Sequence, residues 1–365
     1  MSDSSARLLL HVFPSFAVGG AQMRLVNLVT AFGNRHRHIV IALDGNYACA
    51  QRLAPHLPVR YESIDAPKQN TLGNVRKFRR RLRELAPDVL VTHNWGAIEW
   101  AMANVPRLAR HIHIEDGFGP EERNSQMRRR VLTRRVVLAR SSVVLPSRNL
   151  WRIATTVWGL AHRNVHYVPN GISLGQFFGL ERPFTDHPVI GTVAGLRNEK
   201  NLSRLLRAFR QVTEQVAAGL VIVGDGSERA MLEALAAQLG LCDQVHFAGQ
   251  VDDSSSLYRS FDVFALSSDT EQMPLSVIEA MASSLPIAAT DVGDVATMVA
   301  DENRPYIVAR DETALAAAMT ALARDGALRV RLGAANRAKA ESEFDEAAMI
   351  AAYAALFDGT AKAAA

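Results

Sequence analysis

Short apolar runs alternate with longer stretches of helical period along this chain. In the first half the runs are RLLLHVF (7–13), HIVIAL (38–43), VRYESI (59–64), DVLVTH (88–93), RHIHIED (110–116), SVVLPS (142–147) and HYVPNG (166–171). In the second half they are VIGTVAGL (189–196), LVIVGDG (220–226), QVHFAGQVD (244–252), FDVFALSS (261–268), PIAAT (286–290) and YIVA (306–309). Helices are expected over about 21–32, 72–85, 122–139 and 202–215 and from 228, with three Ala-rich helices ending near 357. Strand–helix alternation of this kind predicts βαβ units and parallel sheets, so the fold class is α/β. In such sheets ligands sit beyond the carboxyl ends of the strands. Residues 173–187 lack periodicity, which places a domain boundary near Arg182-Pro183. The expected domains are 1–182 and 183–365, with the last helix able to pack back on the first.

The 365-residue length agrees with two domains. An apolar fraction of 48% with 21% charged residues is that of a globular chain, and no run long enough for a membrane-spanning helix occurs. The opening MSDSSARLLLHVF has no basic segment before its apolar run, so no signal peptide is expected. Cys49 and Cys242 stand far apart, which suits a reducing cytoplasm better than a disulfide framework. Charge is uneven. Residues 1–185 carry 26 Lys/Arg against 12 Asp/Glu, a net of +14; the remainder carries 15 against 25, a net of −10. The basic half suits an anionic partner, either nucleic acid or an anionic membrane, and a solvated arginine-rich helix face has the same pattern. No nucleic-acid-binding motif accompanies the charge, so of the two partners the anionic membrane is expected and nucleic acid is not.

The stretch 269–294, DTEQMPLSVIEAMASSLPIAATDVGD, carries the candidate chemistry. Glu271 is on a loop after a strand and Glu279 on the following helix, with seven residues between them. Between them is a helix start around Met273 to Ser276, where Pro274 fits because its missing N–H is not needed, and where the open N–H groups of Met273, Leu275 and Ser276 make a place for phosphate. Carboxylates accept paired hydrogen bonds from vicinal hydroxyls, so the set suits a sugar joined to a diphosphate. An ordinary strand–helix–strand unit with solvated glutamates has the same pattern. Elsewhere, Gly19-Gly20 follows the first strand and lets backbone approach a ligand. His93-Asn94-Trp95 ends one strand, and His113, Glu115 and Asp116 end another, where they are expected to crowd the rim of a cleft. Lys200 stands at a loop–helix junction after a strand, where an ammonium meets a diphosphate. No Asp-x-Asp motif or His/Cys cluster with metal-ligand spacing appears.

The spacing within EQMPLSVIEAMA, together with GGAQ, VPNG, LRNEKN and VGDG in that order, resembles the family 4 glycosyltransferases. The resemblance implies the GT-B fold: two Rossmann-like domains with a deep cleft between them. It implies transfer of a hexose from a UDP- or GDP-sugar to a hydroxyl, with retention and without a required metal or cofactor. The setting it implies is bacterial surface polysaccharide or glycolipid assembly, with a glycan or lipid-linked acceptor. The protein would be cytoplasmic, or peripheral on the inner face of the plasma membrane. Carried over by motif, Gly19 and Gly20 face the diphosphate and acceptor, and Lys200 neutralises the leaving diphosphate. Gly224 and Val251 line the nucleotide pocket, Glu271 holds sugar hydroxyls and Glu279 the ribose. The arginine of the family's GRL pattern falls on Gly195, leaving Arg197 as the candidate replacement. The second histidine of an HTEHG-like turn falls on Asp116 and the first on His113, so either stands for the cleft histidine. A sugar-nucleotide epimerase or hydrolase, or a non-catalytic GT-B partner subunit, are the alternatives on the same scaffold.

Overall fold

A computed structural model describes residues 6–67, 69–118, 120–122, 125–177, 187–251 and 255–361. The chain forms two compact units, Met1–Pro169 with Met349–Ala365, and Asn170–Ala348. The boundary expected near Arg182-Pro183 lies outside the described residues.

The first unit holds a seven-stranded sheet of β1 (Arg7–Phe13), β2 (His36–Ala42), β3 (Val59–Glu62), β4 (Val89–His93), β5 (Arg110–Ile114), β6 (Ser142–Leu145) and β7 (Val165–Tyr167). The order is β3-β2-β1-β4-β5-β6-β7 and every pairing is parallel. Helices α1 (Gly20–Phe32), α2 (Thr71–Leu85), α3 (Ile98–Ala103), α4 (Arg128–Val137) and α5 (Arg148–Thr156) join the strands. A parallel sheet is covered on both faces, so its central strands read as continuous apolar runs. On one face Leu10, Val12, Ile39 and Ile41 pack with Phe78 and Leu82 of α2 and Trp100 of α3. The Phe78 and Trp100 rings stack at 4.6 Å. Removing such a buried ring costs about 3–5 kcal/mol.

The second unit holds β8 (Val189–Val193), β9 (Gly219–Val223), β10 (Val245–Gly249), β11 (Val263–Leu266), β12 (Ile287–Thr290) and β13 (Ile307–Val308), again all parallel, in the order β10-β9-β8-β11-β12-β13. Its helices are α6 (Leu202–Thr213), α7 (Arg229–Gln238), α8 (Ser255–Tyr258), α9 (Leu275–Ala282), α10 (Val295–Met298), α11 (Glu312–Arg324) and α12 (Gly326–Glu343). Leu205, Leu206 and Phe209 of α6 and Leu315, Met319 and Leu322 of α11 fill one face. Val277, Ile278 and Met281 of α9 fill the other, with Phe261 and Phe264.

The last helix, α13 (Glu346–Asp358), belongs mostly to the first unit. Its Met349, Tyr353, Leu356 and Phe357 pack on Leu9, Leu28, Val91 and Ile112. Arg7 and Arg110 donate to the carbonyls at its C-terminal end, which lack partners within the helix. One expected helix differs. The 122–139 segment is a short turn at Pro120–Glu122 followed by α4 from Arg128. Met127 before it is extended, and Glu122 accepts from the Met127 N–H at 3.2 Å, so the helix starts late.

Candidate functional site

In each sheet the strand order reverses beside the first strand of the unit, between β1 and β4 and between β8 and β11. Loops leaving those strands splay apart and open a crevice for a ligand.

In the second unit β8 runs into the loop carrying Arg197 and Lys200. Asn201, in the left-handed region at φ 44°, turns the chain into α6 and accepts from the Arg204 N–H at 3.2 Å. This loop is knitted to the one leaving β11. Ser267 Oγ donates to the Lys200 carbonyl at 3.0 Å, the Asp269 N–H to the Glu199 carbonyl at 2.9 Å, and Arg204 to Asp269 at 2.7 Å. Lys200 Nζ thereby sits 2.5 Å from Glu271 Oε1, which also accepts from Ser268 Oγ at 2.8 Å. Lys200 keeps 18% and Glu271 11% of its side-chain surface exposed, so the pair is fixed yet reachable. Gly293 braces the loop from behind. At φ 56°, a Cβ there would meet the Glu271 carbonyl at 2.4 Å.

Pro274 is the extended N-cap of α9, and no side chain caps this helix. Its first-turn N–H groups, Leu275 and Ser276 among them, have no partner within the helix. Met273 is buried and Leu275 half-buried. One turn on, Glu279 accepts from Tyr258 Oη at 2.6 Å. Tyr258 is fully buried beside Phe177, Phe261 and Phe264. Burial, together with the Glu279 charge, pushes its hydroxyl well above the usual tyrosine range and keeps it a donor. Arg197 is 62% exposed and pairs with Glu199 at 3.1 Å. Its Nε lies 3.3 Å from where a Cβ on Gly195 would stand. Gly224, at φ 132°, brings the β9 exit so close to β8 that a Cβ would meet the Ala194 carbonyl at 1.9 Å. Val251 is half-buried against the apolar layer under α9.

In the first unit Gly19 caps α1 without a side chain, and Gly20 begins it, exposed. One turn later the buried Arg24 donates to both oxygens of Asp116 at 2.7 and 2.9 Å. The Asp116 N–H donates to Asn94 Oδ1 at 2.7 Å. Burial works against the Arg24 charge, but Asp116 and Tyr353 outweigh it and hold the guanidinium more firmly protonated than usual.

His113 and Glu115 are not at a rim. Both are fully buried, His113 within β5 and Glu115 just after its end. His113 Nδ1 meets Thr92 Oγ1 at 2.8 Å and Nε2 meets Glu115 Oε2 at 3.3 Å. Both nitrogens of His113 are therefore engaged inside the unit, away from the rim where the sequence places it. Glu115 is held by Arg134, which also forks onto Glu122 at 3.2 and 3.1 Å. The Arg134 guanidinium is caged by Trp95 at 4.8 Å, Trp158 at 4.8 Å and Phe118 at 5.4 Å. Arg130 covers Trp95 at 4.9 Å. Two adjoining pockets of about 790 and 490 Å³ share Pro14, Trp95, Gly96 and Arg130. Asp44, Thr71, Glu99 and Arg129 line the larger; Asp116 and Phe118 line the smaller.

Sequence reasoning missed Arg24, Tyr258, Ser268 and Arg130 as site residues. Only Ser268, three residues before Glu271 along the chain, carried a local signal. Among the described residues no group of His, Cys, Asp or Glu is placed to hold a metal ion.

Residues 18–176 match the family model described as Glycosyltransferase Family 4, and residues 179–339 match Glycosyl transferases group 1. The chain belongs to the family 4 glycosyltransferases. The putative glycosyltransferase EpsF of Bacillus subtilis is 28% identical over 79% of this chain and 80% of its own length. The lipopolysaccharide core biosynthesis glycosyltransferase LpsD of Rhizobium meliloti is 32% identical, over 50% of this glycosyltransferase and 53% of LpsD. Among solved structures, Anabaena HepE in complex with UDP and glucose has a TM-score of 0.79 at 18% identity, covering 97% of this chain and all of that one. That likeness shows the fold, which is GT-B with two Rossmann-like domains. No helix among the described residues is long and apolar enough to cross a membrane.

Proposed function

We propose that this glycosyltransferase moves a hexose from a UDP- or GDP-sugar to a hydroxyl of a glycan or lipid-linked acceptor, with retention and without a metal, in surface polysaccharide or glycolipid assembly. The observation that carries the reading is the Lys200–Glu271 pair beside the uncapped start of α9, at the switch point of the second sheet. Lys200 neutralises the diphosphate as charge develops on it. The N–H groups of Leu275 and Ser276 hold phosphate oxygens, and Arg197, folded over Gly195, adds a second cation. Glu271 accepts from sugar hydroxyls, and its bond to Lys200 ties sugar position to leaving-group charge. Glu279, oriented by Tyr258, accepts from the ribose. Gly224 and Val251 border the nucleoside. Gly20 and the Trp95 pockets receive the acceptor, and Asp116 is the carboxylate facing the transferred sugar. We read the enzyme as cytoplasmic and peripheral on the inner face of the plasma membrane, in keeping with the net +14 of residues 1–185.

The test is a thermal-shift panel of UDP, GDP, ADP and their sugars. A ligand at 100 times its dissociation constant stabilises by about 2.7 kcal/mol. A shift with one nucleotide and its sugar, abolished by Lys200→Ala, supports the reading. No shift with any of them overturns it.

A further inference from the structure

The first unit has two arginine-rich helices, and they differ in what surrounds them. On α2, Arg79 donates to the Ala103 and Pro106 carbonyls at 2.7 and 3.0 Å. Arg81 pairs with Glu62 at 2.5 Å and with Glu84 at 2.9 Å, and Arg80 lies 3.8 Å from Glu84. That run is largely occupied within the protein. On α4 the inward arginines, Arg130 and Arg134, are locked onto Glu121, Glu122 and Glu115. The outward face is Arg128, Arg129, Leu132, Arg135 and Val136, all exposed. Leu132 is 61% and Val136 65% exposed, one turn apart. Among the described residues no carboxylate pairs with these three outward arginines. Arg135 instead donates to the Trp158 and Val157 carbonyls, which brings the exposed Val157 into the same patch. Residues 123–180 contain ten arginines and no Asp or Glu.

We infer that the outer face of α4 is the surface with which the enzyme lies on an anionic lipid bilayer. This rests on the proposed membrane-side acceptor and names the surface that meets it. Aliphatic side chains set among exposed arginines that form no ion pair among the described residues match the boundary between anionic headgroups and acyl chains. Leu132, Val136 and Val157 enter the acyl edge while the arginine stems lie along it and their guanidinia take the phosphates. The adjoining flank of α4 supplies Arg129, Arg130 and Thr133 to the larger pocket. One helix therefore carries the bilayer face and a pocket wall, so the head of a lipid-anchored acceptor arrives beside the pocket.

The experiment is co-sedimentation of the full chain with phosphatidylcholine vesicles, with and without phosphatidylglycerol, at low and high salt. Three variants are compared with the wild type: Leu132→Ser with Val136→Ser, Leu132→Trp, and Arg79→Ser with Arg80→Ser and Arg81→Ser. The wild type is expected to bind only phosphatidylglycerol vesicles, reversibly with salt. The α4 serine pair is expected to lose about tenfold in partitioning at an unchanged melting temperature, Leu132→Trp to gain, and the α2 triple variant to keep most binding. Wild-type binding that the α4 changes do not alter would overturn the α4 assignment and leave membrane association standing. No vesicle binding by the wild type would overturn both. Retention on a polyanion resin, equal in wild type and serine pair and without vesicle binding, would assign the face to an acidic polymer instead.

Discussion

Lys200 and Glu271 in the second unit, and Arg24 and Asp116 in the first, are ion pairs at the carboxyl ends of two parallel sheets, built in different ways. The second unit takes its cation from a loop and its carboxylate from the loop after the neighbouring strand. Lys200 spends one contact on one oxygen of Glu271. A compact ammonium has further donors to give, and both groups keep some contact with water. The first unit takes its cation from inside a helix. Arg24 is buried and its planar fork occupies both Asp116 oxygens. Such a pair fixes a carboxylate's position. A site that must gather a ligand's charge is served by the first arrangement; a wall that must hold its shape is served by the second.

Acid should separate the two units most strongly. His11, His38, His93 and His111 are buried in the first unit. Burial foremost, and neighbouring positive groups after it, lower their pKa values, to about 4 for His38 and about 3 for His111. The unfolded chain protonates these groups near pH 6.5 and the folded chain does not until far lower. Proton uptake therefore favours unfolding below that pH. Stability is complete above about 6.5 and is lost as pH falls toward 4, with about 3 kcal/mol from His38 alone. All four tryptophans, Trp95, Trp100, Trp151 and Trp158, lie in the first unit. Their fluorescence should report this transition before the far-UV circular dichroism of the whole chain is lost. An unchanged tryptophan signal down to pH 4 would contradict it.

Next in size is the lysine. Lys200→Ala should lower turnover about 10²-fold or more, the scale of one lost electrostatic contact to a developing charge. Steady-state rates near wild type would remove Lys200 from the donor site. Arg24→Met should instead show in stability, by about 2 kcal/mol, because it strands a carboxylate that keeps 19% of its side-chain surface exposed rather than a fully buried one. Nucleotide affinity, read by calorimetry, should stay unchanged. Asp116→Asn keeps the shape and should keep the fold while losing most transfer. If its activity matches wild type, the first pair is structural alone. The smallest effect is expected at Glu279. Glu279→Gln should weaken nucleotide and nucleotide-sugar binding together by about tenfold, the loss of one charged hydrogen bond. Glu271→Gln should lower turnover and spare free nucleotide. Equal losses of free nucleotide in both variants would erase the separate roles.

Much of this was legible along the chain, and the reason is locality. Alternating runs such as LVIVGDG and DVLVTH name buried parallel strands, because strand and helix periods depend only on near neighbours. The same holds for Glu271 and Glu279 on either side of a helix start, and for Gly224 at a strand exit. Partners could not be read that way. Arg24 meets Asp116 across 92 positions, Lys200 meets Glu271 across 71 and Tyr258 reaches Glu279 across 21. His113 reads as a strand-end histidine at a rim, yet packing turns it inward onto Thr92 and Glu115. The arginines of α2 and α4 are alike as letters, and only their neighbours decide that Arg130 and Arg134 turn inward onto glutamates while Arg128 and Arg129 stay exposed. Local pattern determined the elements, the parallel sheets and the loops that carry the chemistry. Which charges face each other followed from strand order and register, set by the packing of two whole cores, and no short stretch of the sequence contains that sum.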